Sequence, residues 1–359
     1  MPRRQAESLS GAPKPSSAKV AIIIVNYRTP DLAKRCLASL QPEKRLIPEL
    51  QVMVVDGGSG DASVEVLAKM VAEPAHREWT SVLPLEVNGG FGWANNQAIL
   101  RLLQRPDAPD FIHLLNPDTE VEEGAVARLL EYLEEHAGVG AVGSQLLEPD
   151  GSLSGSAFNF LSVRGELSRS ARTGLLDLLL KVPPVPISAS NARAVDWTTG
   201  ASVMFRVEAL KDVGLFDEGF FLYHEEIELM WRLRRRGWGV AFEPLSRVRH
   251  VGGASTGVHS RKSAGKRRPR YWYRSRARLF ALTRGRQAAM LGYLIWFVGY
   301  AVWALRRITG LGRGAKPFSH QLRDHIRFAL PRHSDGIPAV RAWNDEPNHL
   351  PAWMERDWL

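Results

Sequence analysis

Four short apolar runs, each closed by a polar turn and followed by apolar residues at helical spacing, constrain this chain more than any other feature. Val20-Ala21-Ile22-Ile23-Ile24-Val25 is a largely β-branched run of the kind that forms strands buried on both faces. Asn26 to Asp31 reads as a turn, and Leu32, Cys36, Leu37 and Leu40 then recur at helical spacing. The rhythm returns in 50–55 before 64–70, in 83–87 before 93–103, and in 111–115 before 126–136. Strands alternating with helices predict a mostly parallel α/β sheet covered on both faces by right-handed crossovers, with functional loops at the carboxyl ends of its strands.

Near Gly138 the alternation breaks. Residues 139–147 and the turn at Glu148-Pro149-Asp150-Gly151 predict an antiparallel excursion. Residues 161–194, with Pro183, Pro184 and Pro186, read as a variable insertion or lid without chemistry of its own. Strand character resumes over 196–207, followed by helices at 207–213 and 220–236. The last of these has carboxylates at its start and cations at its end, the polarity a helix dipole favours.

With 359 residues, 45% of them hydrophobic, the chain can bury a sizeable core, which excludes disorder throughout. The formal charge of +9 points to an anionic partner: a nucleic acid, a phosphorylated substrate or an acidic membrane face. A single cysteine, Cys36, permits no intrachain disulfide, and its place in a helical pattern predicts buried packing. Residues 1–19 form a polar leader with no apolar signal core, so a cytoplasmic location is expected. Residues 288–305 carry no charge and would extend about 27 Å as a helix. Behind the basic run Arg261, Lys262, Lys266, Arg267, Arg268, Arg270, Arg274, Arg276 and Arg278, this segment fits a helix lying in an anionic leaflet, a buried helix or a single span.

Several loops carry candidate chemistry. Asp56, after the second strand, can accept the imide N–H of a uracil or thymine ring, or it can simply make an Asp-Gly turn. Asn88-Gly89-Gly90-Phe91-Gly92 enters a helix whose free N–H groups can receive diphosphate oxygens, or it merely connects strand to helix. Asn95 and Asn96 add polar groups in the next turn that packing does not require. Asp118 can hold a divalent ion, supported by Asn116, or it belongs to an ordinary Asn-Pro-Asp turn. Glu225, Glu226 and Glu228 crowd like charge beside aromatics, which suits either a general base with a raised pKa or a helix start stabilised by its dipole. His250 is a candidate further metal ligand, against the commoner structural histidine.

Taken in order, Ile24-Val25-Asn26-Tyr27, 54–61, 88–96, 114–119, Gly200-Ala201, 214–223, and His250 with Gly253 resemble the GT-A-fold, inverting family two glycosyltransferases, in particular their bacterial rhamnosyltransferase-like branch. The resemblance implies a Rossmann-like GT-A domain over residues 20–280, with a nucleotide-binding half (20–120) and an acceptor and catalytic half (121–260). It also implies a helical, membrane-proximal extension over 281–359. Asn26 and Asp56 would lie in the nucleotide pocket, Asn88, Gly90, Phe91, Asn95 and Asn116 beside the sugar diphosphate, and Asp118 with His250 at a Mg²⁺ or Mn²⁺ ion. Gly200, Ala201 and Trp197 would neighbour the sugar or acceptor. Family members usually carry Glu-Asp where this chain has Glu225-Glu226, and the second acid is commonly the base, so the role falls to Glu226 first and Glu225 second. Asn116 replaces the first acid of the wider family's Asp-x-Asp motif, and Gly57 replaces a usual Asn.

The implied reaction is transfer of a sugar, rhamnose from dTDP-rhamnose foremost, to a hydroxyl of a cell-envelope glycan, polysaccharide or glycolipid, at the inner face of the cell membrane. Rival readings are a nucleotidyltransferase, a sugar-nucleotide-binding scaffold with weak catalysis, and a nucleic-acid-binding protein using the basic and aromatic stretch 261–278. The first is disfavoured because no glycine-rich basic loop follows the first strand, and the last is the less expected partner class.

Overall fold

The computed structural model describes residues 16–183, 185–187, 191–250, 267–310 and 318–355. Its strands are β1 (Val20–Asn26), β2 (Leu50–Asp56), β3 (Thr80–Pro84), β4 (Phe111–Leu115), β5 (Thr119–Val121), β6 (Val139–Leu147), β7 (Ala157–Phe158), β8 (Pro186–Ile187), β9 (Arg193–Ala194), β10 (Trp197–Thr198), β11 (Ser202–Arg206) and β12 (Gly239–His250). The helices up to residue 235 are α1 (Pro30–Ser39), α2 (Gln41–Leu46), α3 (Ser63–Val71), α4 (Phe91–Leu103), α5 (Ala125–Glu135), α6 (Val163–Ala171), α7 (Gly174–Leu179), α8 (Val207–Val213) and α9 (Glu225–Arg235). Beyond them come α10 (Arg270–Arg284), α11 (Arg286–Ile308), α12 (Gln321–Phe328) and α13 (Ala352–Glu355).

The main sheet runs β3-β2-β1-β4-β11-β6-β12-β5, with β9 paired to β12. β1 pairs in parallel with β2 and β4, and β2 with β3, while β11 is antiparallel to both β4 and β6. The excursion expected at 139–147 is therefore half right: β6 is antiparallel to β11 but parallel to β12 and sits inside the main sheet. Side-chain alternation in β1 explains its uninterrupted apolar run. Val20, Ile22 and Ile24 enter one core with Cys36 and Leu37 of α1 and Leu129 of α5; Ala21 and Ile23 enter the other with Ala98 and Ile99 of α4 and Leu229 of α9.

Two boundaries differ from the sequence reading. The third strand is Thr80–Pro84 rather than 83–87, because it is a half-buried edge strand whose ladder with β2 ends at Pro84. The helix expected from Phe220 starts at Glu225, since Tyr223 and His224 take left-handed φ values of 71° and 73°. Residues 161–194, read as an insertion or lid, include the short helices α6 and α7 among the described residues. Their helix α6 packs on α11, where Gly299 lies against the backbone of Leu167 and Ala171.

Inside α11, Ala289, Gly292, Trp296, Gly299 and Trp303 form the buried stripe, a three- and four-residue spacing that faces α6. Arginines that looked available for an anionic surface are held within the fold. Arg274 donates to Asp335, Arg278 to Asp217, Arg267 to Asp324 and Arg276 to Glu166, and Arg268 lies between the rings of Trp272 and Phe318. Arg261, Lys262 and Lys266 lie outside the described residues, as does Gly253.

Candidate functional site

Strand ends converge because the register brings them together. Ser202 of β11 pairs with Leu115 of β4, which sets Thr199, Gly200 and Ala201 beside Asn116, whose N–H donates to the Ala201 carbonyl (2.9 Å). On the far side β5 pairs antiparallel with the end of β12, so His250 stands opposite Thr119 and next to Asp118. The His250 Nε2 to Asp118 Oδ1 distance is 3.3 Å. These loops border a cavity of about 310 Å³ at the carboxyl edge of the parallel strands.

One wall is the loop before α4. Asn88 Oδ1 accepts from the N–H of Gly90 (3.1 Å), and the Phe91 N–H donates to the Phe221 carbonyl (3.2 Å). Gly90 has φ 91°, and a Cβ there would stand 1.8 Å from the Phe221 oxygen, so only glycine admits this approach. Opposite lies the start of α9. Two successive left-handed residues, each costing about 1–3 kcal/mol, turn the chain so that Glu225 and Glu226 face the cavity.

Burial pushes the Glu226 carboxyl up to about 7. Burial, and then the charge of Glu226, hold Glu225 well above the ordinary carboxylate range, and its Oε2 has no hydrogen-bond partner. Glu228, the third acid of this cluster, is structural: Arg232 donates to both of its oxygens (2.9 and 3.0 Å) and also binds the carbonyls of Val213, Gly214 and Leu215.

Asn88, Gly90, Phe91, Asn116, Asp118, Gly200, Ala201, Glu225, Glu226 and His250 all border the cavity. Asn26, Asp56, Asn95 and Trp197 do not. Asp56 is buried, accepting from Ser59 N–H (2.9 Å), Ser59 Oγ (2.7 Å) and Asn26 Nδ2 (2.9 Å), so it shapes the turn behind the wall that Val25, Tyr27 and Gly57 present. Asn95 Nδ2 bonds its own helix at Phe91 O (2.9 Å), and Asn96 is a fully bonded staple to Phe216 and Glu218. Trp197 stacks on Phe158 (4.2 Å) and donates to Asn159 O, away from the cavity. Tyr27, Thr199, Tyr223 and Tyr271 also line the site and escaped the sequence reading. Tyr271 was visible only as one aromatic of a basic run, because nothing local tells a helix on which face it will meet a distant loop.

The donor set fits a small hard divalent cation. Adjacent positions of an octahedron with ligands at about 2.1 Å lie about 3 Å apart, close to the Asp118–His250 separation. Among the described residues no group of three or more His, Cys, Asp or Glu forms a complete ligand set. A cation here would fill its remaining positions with diphosphate oxygens and water, the usual habit of Mg²⁺ at phosphate substrates.

A curled, mostly parallel sheet with helices on both faces and the cavity loops at its strand ends is the GT-A fold. The chain belongs to the family described as Glycosyltransferase like family 2, which matches residues 15–273. It is 28% identical over 250 residues to the N-acetylglucosaminyl-diphospho-decaprenol L-rhamnosyltransferase of Mycobacterium tuberculosis, covering 66% of this chain and 77% of that protein. It is 27% identical over 251 residues to the O-antigen biosynthesis protein RfbC of Myxococcus xanthus, covering 68% of this chain and 18% of that protein. The mannosyltransferase PcManGT from Pyrobaculum calidifontis, solved in complex with GDP-Man and Mn²⁺, shares the fold with a TM-score of 0.51 at 15% identity, over 90% of this chain and 84% of that one.

Proposed function

We propose that the protein is an inverting glycosyltransferase that moves a sugar, rhamnose from dTDP-rhamnose foremost, onto a hydroxyl of a lipid-linked cell-envelope glycan. The observation that carries this reading is the placement of Glu226, with its raised pKa, on the wall of the same cavity that holds the Asp118–His250 pair. Asp118 and His250 would hold the cation, which when bound would neutralise charge on the diphosphate. Glu226 takes the acceptor proton as the acceptor oxygen bonds to the anomeric carbon from the face opposite the diphosphate. The anomeric C–O bond breaks, and the nucleoside diphosphate leaves with the electron pair. Asn88, Gly90 and Phe91 line the wall where the diphosphate would lie, the Gly90 and Phe91 N–H groups being already donated to Asn88 Oδ1 and Phe221 O, and Tyr27 and Gly57 border the nucleoside end.

Support for rhamnose and for a lipid-linked acceptor comes from the mycobacterial relative, whose name specifies both. α11 supports work at a membrane surface. Its 23 residues pack along one side, while Leu291, Leu294, Val298 and Leu305 on the other are half or more exposed. That one-sided burial favours a helix lying at the lipid interface over one that crosses it. With Arg274 and Arg278 buried in ion pairs, neither is offered to a membrane surface or a nucleic acid.

The experiment is to incubate the protein with Mg²⁺ or Mn²⁺, a polyprenyl-diphosphate-linked acceptor and a panel of dTDP-, UDP- and GDP-sugars. Glycosylated lipid of inverted anomeric configuration, absent with Glu226→Gln, is expected. Product of retained configuration, or equal turnover by the variant, would contradict the mechanism.

A further inference from the structure

The family match stops at residue 273, yet the chain returns to the site long after it. Residues 337–355 run across the catalytic region as a strap. Leu215 N–H donates to Arg341 O (2.8 Å), Glu218 N–H to Ala339 O (3.0 Å), and Ala339 N–H to the Asp217 carboxylate (2.8 Å). Arg341 and His349 both reach the fully buried Glu218, at 2.9 and 2.8 Å, and this contact fixes the strap's path. Trp93 of α4 donates to His349 O (3.1 Å), and Asn348 N–H to Gln97 Oε1 (2.9 Å).

The strap ends at the cavity loops. Trp353 Nε1 donates to the Gly89 carbonyl (2.8 Å), and its ring meets that of Phe221 edge-on at 5.2 Å. Phe221 in turn accepts from Phe91 N–H and meets Tyr271 at 5.2 Å. One indole therefore touches both the loop that would cradle the diphosphate and the turn that aims Glu225 and Glu226. We propose that Trp353 is a positioning residue of the donor site, holding the 88–91 loop and the 221–226 turn at a fixed separation from outside the family domain. The inference rests on the transferase reading for what that loop binds, but not for the clamp itself.

The test uses full-length Trp353→Phe, which retains an aromatic edge for Phe221 and loses only the donor to Gly89, with Trp353→Ala losing both. Amide hydrogen exchange over 88–92 and 221–226, without ligand, is expected to be roughly five-fold faster in Trp353→Phe, the factor that about one hydrogen bond's net worth gives, and faster still in Trp353→Ala. Affinity for the nucleoside diphosphate sugar should fall by a similar factor. The acceptor KM and the melting temperature of Trp353→Phe should stay at wild-type values, a pattern that general destabilisation would not produce. Unchanged exchange in both variants overturns the proposal. So does an equal change in donor and acceptor KM together with a lowered melting temperature. If no nucleotide sugar binds the wild-type protein, the transferase reading fails while the exchange result still decides the clamp.

Discussion

Burial of Glu226 at the cavity wall ties its chemistry to pH in two opposite ways. A base must be deprotonated, and with its carboxyl pushed up to about 7 the rate should climb about tenfold per pH unit below neutrality and level off above it. For stability the sign reverses. A carboxyl whose folded pKa is raised contributes stability that is fully present below its unfolded value and is lost as pH rises through about 7. Glu226→Gln should therefore lower turnover by about 10²–10⁴-fold. It should also raise the melting temperature at pH 8 and leave it near wild type at pH 5, which rate assays and thermal scans at the two pH values would check. Glu225→Gln should keep the rising pH limb; its loss there would move the base role to Glu225.

Single residues were legible where chain position alone determines surroundings. Asp118 lies just past the apolar strand β4 and His250 ends β12, and register did the rest. Asn26 and Asp56 are harder to read, because a carboxylate that binds a base and one that closes a turn look alike in sequence; here Ser59 bonds both Asp56 oxygens, and a base-binding role for Asp56 stays a proposal.

Among the elements, those buried on both faces or built with a clear apolar stripe could be read directly, as β1, β2, β4, β6 and α8 show. The misreadings fall where burial is partial or the backbone is strained. β3 has one neighbour and half-buried residues, so Leu85 and Val87, which pack against the core beyond its end, looked like strand. The left-handed Tyr223-His224 pair lies in an otherwise helix-like sequence, and no residue type there announces it. Helix α11 illustrates a further limit: its composition suits a membrane span, but Gly299 lets it lie against α6. A Cβ on Gly299 would stand 2.0 Å from Ser170 Oγ and 2.5 Å from Leu167 O. Gly299→Leu should thus separate the two helices and cost about 1–3 kcal/mol, measured by urea unfolding. Gly299→Leu with wild-type stability would show that the α6–α11 contact yields freely.

For the whole molecule, charge was the least legible quantity. The excess of cations suggested an outward basic face, whereas Arg274 and Arg278, both 3% exposed, join α10 to the 333–336 turn and to the site loop. Nothing in the local sequence around these arginines reveals partners about sixty residues away. Arg278→Ala should cost about 3–5 kcal/mol by leaving Asp217 buried without its counter-charge. Arg278→Ala with Asp217→Asn should recover part of that loss, readable in the same unfolding assay. Leu294→Glu with Val298→Glu, on the exposed side of α11, should weaken sedimentation with phospholipid vesicles while leaving the fold intact by circular dichroism.

A transferase of the proposed kind must bind a nucleoside diphosphate sugar in this cavity through a divalent cation held at Asp118. Calorimetric titration of the full-length protein with dTDP-, UDP- and GDP-sugars, with and without Mn²⁺, tests it most directly. Saturable binding of at least one donor that requires the metal and disappears in Asp118→Ala is expected. No donor binding by the wild-type protein, or binding indifferent both to Mn²⁺ and to Asp118→Ala, would contradict it.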